Sequence, residues 1–266
     1  MQNASGRTTI QISALQQPQY ASIALSDAPA VYGASAPVST PLWRLLLPTL
    51  LAIMAAAAVA ALKLDLRFAD LLYAAQGGQW ALKKAFITEH LLHVAGRDAV
   101  AAGWALVVLA WAATWRKPQW RSWRRPLAAL ALSVLLSTVL VASLKALSSV
   151  DCPWDLVRYG GDRVYVDIFS ALLAGTPHRG CFPAGHASAG YAWLALFFFF
   201  QTVRPAWRWR GLTAGLMLGM VFGLSQQLRG AHFLSHDLWT SALCWLVAVA
   251  VHVAMGQPSQ SVRASQ

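Results

Sequence analysis

Residues 126–147 read PLAALALSVLLSTVLVASLKAL, an apolar run whose only charge is Lys145 near its end. Its length matches the ~20 residues that a helix needs to cross the hydrocarbon core of a bilayer. Just before it stand Arg116, Lys117, Arg121, Arg124 and Arg125, interleaved with Trp115, Trp120 and Trp123. Working outward, five more blocks of the same character follow the helical length rule, at about 43–63, 96–115, 187–203, 211–228 and 238–255. The fold class is therefore all-α, a polytopic membrane protein with six transmembrane helices.

Composition supports lipid as the solvent. Of 266 residues, 57% are hydrophobic and 12% charged, and mean hydropathy is +0.48. A soluble domain carries about a quarter charged residues, and too little polar sequence remains here to cover a core of buried helices. The net charge of +11 would suit nucleic acid if it were spread over a surface, but it is concentrated in two short loops. The second holds Arg204, Arg208 and Arg210 with Trp207 and Trp209. Both loops fall on one side of a six-span arrangement, which the positive-inside rule makes cytoplasmic, with the tryptophans as an interfacial belt. The basic charge then meets anionic lipid rather than nucleic acid.

An even span count places both termini inside. Residues 1–40, rich in Ala, Ser, Gln and Pro, lack the charged and apolar regions of a signal peptide. They read as a disordered cytoplasmic tail, followed by a six-helix membrane domain over 41–256 and a cytoplasmic tail over 257–266.

The opposite, external face holds the polar chemistry. Its first loop carries Asp65, Asp70, Lys83, Lys84, Glu89, His90 and His93 and runs into Arg97. Its centre suits an amphipathic helix lying on the membrane. Glu89, His93 and Arg97 recur every four residues and share a helical face, either an interfacial anchor or a second wall of a substrate site. The other loop, about 148–186, contains Asp151, Asp155, Arg158, Asp162, Arg163, Asp167, His178 and Arg179, with Gly160, Gly161 and Gly175 as turn points. Cys152 and Cys181 bracket it, and an oxidising periplasm would allow them to pair or leave them as two thiols. Cys244 reads as a small packing residue within the last span.

Three motifs converge on this face. Lys145 ends the third span and is followed by Asp151-Cys152-Pro153-Trp154. Pro183-Ala184-Gly185-His186 opens the fourth, where free backbone N–H groups at a helix start suit an anion. Arg229-Gly230-Ala231-His232 precedes the sixth, which begins with His236 and Asp237. Each motif alone has a bland reading, a snorkelling lysine or a helix-entry turn. Two histidines with a lysine and an arginine at matching helix ends point to phosphate chemistry.

The order and spacing resemble the type 2 phosphatidic acid phosphatase family, six-helix membrane enzymes. That family shows a lysine, six residues, then Arg-Pro; later Pro-Ser-Gly-His; and finally Ser-Arg, five residues, His, three residues, Asp. Here Lys145 precedes Cys152-Pro153, Ala184 replaces the serine, and Ser225 and His232 match. Gln226 stands in the arginine's place and His236 in the aspartate's, with Arg229 and Asp237 close by.

The resemblance implies a metal-free and cofactor-free lipid phosphatase of the bacterial inner membrane, its site facing the periplasm. His232 would attack phosphorus to form a phosphohistidine, and His186 would protonate the departing oxygen and then activate water. His236 or Asp237 would orient His232. Lys145, Arg229 and the amides of Ala184 and Gly185 would bind the phosphoryl oxygens. Arg97, Arg158, Arg163 or Arg229 would stand in for the missing arginine. Candidate substrates are undecaprenyl pyrophosphate, lipid A 1-phosphate and phosphatidylglycerol phosphate. The alternatives are a lipid phosphotransferase and a non-catalytic lipid-phosphate binder or transporter on the same fold.

Overall fold

The computed structural model of the chain describes residues 41–173 and 180–256. The two expected tails, together with Gly175, His178 and Arg179, lie outside these residues. Among the described residues the protein is helical, with no strand beyond an isolated pairing of Leu156 with Arg163.

The chain opens with α1 (Leu42–Ala61) and turns at Lys63, in the left-handed region, into α2 (Leu64–Ala75). After a short 3-10 turn at Ala81–Lys84 comes a π-helical segment, Ile87–Ala95, which runs without a break into α3 (Gly96–Ala113). The long α4 (Arg121–Leu147) leads into the outer loop and its short α5 (Ile168–Leu173). Next come α6 (Gly185–Tyr191), a 3-10 turn at Ala192–Ala195 and α7 (Leu196–Val203). The chain ends with α8 (Arg208–Leu228) and α9 (Leu234–Ala254).

Four helical stretches are long and apolar enough to cross a membrane: Leu42–Ala61, Ile87–Ala113, Pro118–Leu147 and Leu234–Ala254. Leu50, Met54, Leu106, Leu109, Val139 and Met220 are exposed large apolar side chains, the surface a lipid-embedded bundle presents and a water-soluble one avoids. The two remaining expected spans differ for visible reasons. The 187–203 run is interrupted by the 3-10 turn at Ala192–Ala195. In α8, Arg208, Arg210, Gln226, Gln227 and a stripe of Gly211, Gly215, Gly219 and Gly223 lower the hydropathy.

That glycine stripe is a packing device. A Cβ on Gly190 of α6 would lie 2.4 Å from the backbone nitrogen of Gly219, and one on Gly215 would lie 2.5 Å from that of Leu194. Small residues let two helix backbones approach this closely in lipid, where close packing replaces the hydrophobic drive. Beside the seam, Tyr191, Leu194, Phe198, Trp245 and Val249 form the main core with Leu130 and Val134 of α4.

At the expected cytoplasmic end, cations stack on tryptophan rings as anticipated for an interfacial belt. Arg124 lies 3.8 Å from the Trp115 ring centroid, and Arg204 and Arg210 lie 4.1 and 5.2 Å from that of Trp207.

Candidate active site

At the other end of the bundle, helix termini and the segment leading into α3 enclose a cavity of about 190 Å3. Lys145, His186, Arg229 and His232 all line it, so the three motifs meet in space. His93, Cys152, Trp154, Gln226 and Ala231 complete the wall.

Each motif residue is held by a neighbouring element. Lys145 reaches over the start of α6, where a Cβ on Gly185 would fall 3.5 Å from Nζ, so glycine leaves room for the ammonium. His186 points its Nε2 at the carbonyl of Leu92, 2.9 Å away. A carbonyl only accepts, so Nε2 carries the proton. The His186 ring also packs against Phe222 and His93, at centroid distances of 4.5 and 4.6 Å.

His232 sits in the tight turn between α8 and α9. Gly230 has φ +72°, and the Trp80 ring occupies the space where its side chain would be, 2.5 Å from an added Cβ. Both features demand glycine at this turn. His232 Nδ1 faces His236 Nδ1 at 3.4 Å.

The start of α9 is fixed from a distance: Asp65 of α2 accepts from Ser235 N at 2.8 Å and from its hydroxyl at 2.5 Å. Burial raises the Asp65 pKa above the usual carboxylate value, and the Ser235 hydrogen bonds offset only part of that rise. Cys152 and Cys181 are joined in a disulfide, with Cα atoms 5.3 Å apart, tying the outer loop to the entry of α6. Cys244 is free and buried.

Several expected site residues lie elsewhere. Asp237 accepts from Gln227 Nε2 and sits against Gly223, turned one helical position away from His232, so His236 is the neighbour of that ring. The Ala184 amide donates to Thr240 Oγ1 at 2.9 Å, which commits it to holding α6 on α9 rather than to a phosphate. Arg158 pairs with Asp70 at 2.6 Å, Arg163 with Asp162 at 3.3 Å, and Arg97 with Asp98 at 2.9 Å. None of the three arginines lines the cavity.

The wall opposite α4 and α6 comes from the π-helical segment. Glu89 pairs with Arg229, and His93 faces the cavity. Of the every-fourth-residue set, two members thus turn inward, while Arg97 remains exposed beside Asp98. Arg229 uses three of its five N–H donors, on Glu89, the Lys83 carbonyl at 3.0 Å and Gln226 Oε1 at 3.2 Å, leaving two for a ligand. Trp154 carries the Lys83 ammonium over its ring at 4.1 Å and donates its backbone N–H to Gly230 at 2.9 Å.

Comparison with known proteins identifies the fold family. The family model of the PAP2 superfamily matches residues 126–259, half of the chain, and the chain belongs to that family. No curated protein and no solved structure matches it.

Proposed function

We propose that this member of the PAP2 superfamily, a family of membrane phosphatases acting on phosphate esters, hydrolyses a lipid phosphate or pyrophosphate through a phosphohistidine on His232. The supporting observation is that Lys145, His186, Arg229 and His232, drawn from three separate motifs, line one cavity at a single end of the bundle. In this reading six segments cross an inner membrane and the cavity opens toward the periplasm, opposite the loops rich in arginine and tryptophan.

The chemistry follows from which nitrogens are committed. In this scheme the His232 proton sits on Nδ1, on the side of His236 Nδ1 and the Cys181 carbonyl, and its Nε2 keeps a free lone pair and serves as the nucleophile. A neutral His236 orients that ring less strongly than a carboxylate would, because it adds no negative charge against the imidazolium that forms. His186 holds its Nε2 proton on the Leu92 carbonyl, which leaves Nδ1 for proton transfer. Protonated there, it delivers a proton to the departing lipid oxygen, and once neutral it accepts one from water. Lys145 and the two spare donors of Arg229 offset charge on the phosphoryl oxygens. The step needs no metal in this scheme.

Phosphate release by the purified full chain in detergent with EDTA tests the reading, using undecaprenyl pyrophosphate, lipid A 1-phosphate and phosphatidylglycerol phosphate. Release that survives EDTA, with acid-labile label on His232, is the expected result. Failure to release phosphate from any lipid phosphate overturns it. In that event the committed Ala184 amide and the absent aspartate favour a non-catalytic lipid-phosphate binder, and label passed to a second lipid identifies a phosphotransferase.

A further inference from the structure

The cavity contains a third histidine, His93, that the three motifs do not include, and its protonation is set by a chain of contacts. Glu89 pairs with Arg229. Arg229 Nη1 donates to Gln226 at 3.2 Å. A guanidinium has no acceptor, so the Gln226 atom facing it is the oxygen, and the amide nitrogen faces the other way. That nitrogen lies 3.3 Å from His93 Nδ1. An amide NH2 only donates, so His93 Nδ1 is an acceptor without a proton, and the neutral ring carries its proton on Nε2.

We propose that His93 is a phosphoryl-binding catalytic residue, a neutral Nε2–H donor to a non-bridging phosphoryl oxygen. Glu89, Arg229 and Gln226 are the positioning residues that hold it in that tautomer. The proposal rests on the phosphatase reading only for the identity of the ligand. It explains how the site functions with Gln226 where the family carries an arginine: the glutamine cannot offer a charge, but it aims a histidine from the facing helix. His93 sits on a π-helical segment, a geometry that recurs at functional sites because the wide turn redirects side chains. The same segment supplies Glu89 and the Leu92 carbonyl that holds His186.

The test uses the full chain in nanodiscs. Nitrogen-15 histidine spectra, with His93 identified by its loss in His93→Gln, should report Nδ1 unprotonated and Nε2 protonated. Gln226→Leu should release the ring into a mixture of tautomers. A wild-type His93 protonated on Nδ1 overturns the proposal.

In the second arm, orthovanadate, which adopts the five-coordinate geometry of in-line phosphoryl transfer, is titrated calorimetrically. His93→Phe should weaken its Kd by roughly ten-fold or more, the size expected for losing a hydrogen bond to a charged ligand. His93→Gln, which restores an N–H donor, should recover part of that loss. An unchanged Kd in His93→Phe, at a melting temperature near the wild type, also overturns the proposal. Should His93→Phe fail to fold, the tautomer spectra and the Gln226→Leu titration decide, with a weakened Kd expected there. The two readings fail separately: absence of phosphate release from every lipid tested removes the phosphatase reading, while the spectra and vanadate titrations still report on His93.

Discussion

The cavity has two unlike walls. One is built by the ends of α4, α6 and α8 and the turn into α9, and α4, α6 and α9 continue into the main core through Val141, Ala187 and Cys244. Half of the apolar window of Leu234–Ala254 is buried. The other wall is the segment entering α3, and none of the apolar window of Ile87–Ala113 is buried. Lys145 therefore stands on a helix clamped by neighbours, and the proposed nucleophile, His232, stands in the short turn between two such helices, α8 and α9. His93 and Glu89 stand on a helical stretch whose apolar window is not buried in the bundle. Local opening is easiest where few apolar contacts are buried.

The largest effect expected lies on the packed wall. His232→Ala should lower turnover by several orders of magnitude and abolish any labelled phosphoenzyme, the cost of removing a covalent nucleophile. The companion variant separates roles. His186→Ala should turn over slowly with a lipid substrate, yet accumulate phosphoenzyme from a p-nitrophenyl phosphate, whose leaving group hardly needs a proton. Phosphoenzyme that persists in His232→Ala would place the nucleophile elsewhere and leave the packed wall as scaffold.

Next comes the covalent tie between the outer loop and the packed wall. The Cys152–Cys181 disulfide spans 29 residues, and loop entropy assigns it roughly 3–4 kcal/mol. Reductant should lower the melting temperature of the wild type and leave a Cys152→Ser/Cys181→Ser double variant unaffected. An identical response in both proteins would show that the pair contributes nothing to stability.

Two glycine substitutions sharpen the contrast further. Gly190→Ala forces a Cβ to 2.4 Å from the backbone of α8, so α6 and α8 must part; overpacking of this kind costs about 1–3 kcal/mol. Gly103→Ala in α3 meets only the Trp193 ring at 3.5 Å, an ordinary contact. There the gain in helix propensity should leave stability unchanged or raise it by up to about 1 kcal/mol. Thermal unfolding of the two variants side by side decides the point. Equal losses would mean that the edge helix is packed as tightly as the seam.

The packed wall is also the part of the site that could be read from the chain. Lys145, His186 and His232 announce themselves because each lies at the end of an apolar run, where a local pattern reports both topology and chemistry. The edge wall gives a weaker signal. The four-residue spacing of Glu89 and His93 is visible, but that spacing serves an interfacial anchor equally well. Only long-range contacts to Gln226 and Arg229, more than a hundred residues away, turn it into a site. The same limit applies to Ala184, whose amide is committed by Thr240 of a later helix, and to Asp237, whose partner Gln227 depends on how α8 and α9 face each other. The helix count follows a similar logic. Hydropathy marks four stretches clearly, whereas the glycines that bring α8 close to α6 also lower the hydropathy of that helix.

The smallest effect expected concerns α2, which leads into the edge wall. Arg158 donates from Nε and Nη2 to the two Asp70 oxygens, each at 2.6 Å, and the Tyr159 hydroxyl donates to the same carboxylate at 3.0 Å. The Arg158 guanidinium holds the Asp70 pKa below the usual carboxylate value of 3.8. The pair is substantially exposed, with side-chain accessibilities of 54% for Arg158 and 38% for Asp70. Solvent and salt therefore screen it to about 0.2–1 kcal/mol. The sign follows from the depressed pKa. The stabilisation is fully present above the unfolded value near 3.8 and disappears as pH falls through the lower folded value. Asp70→Asn should accordingly lower the melting temperature slightly at pH 7, more at low salt than at high, and the gap to the wild type should close as the pH is taken below 3.8. A gap that widens in acid would contradict the sign. A loss of several kcal/mol at pH 7 would instead make this exposed pair the anchor of the edge wall and bring the two walls much closer in rigidity.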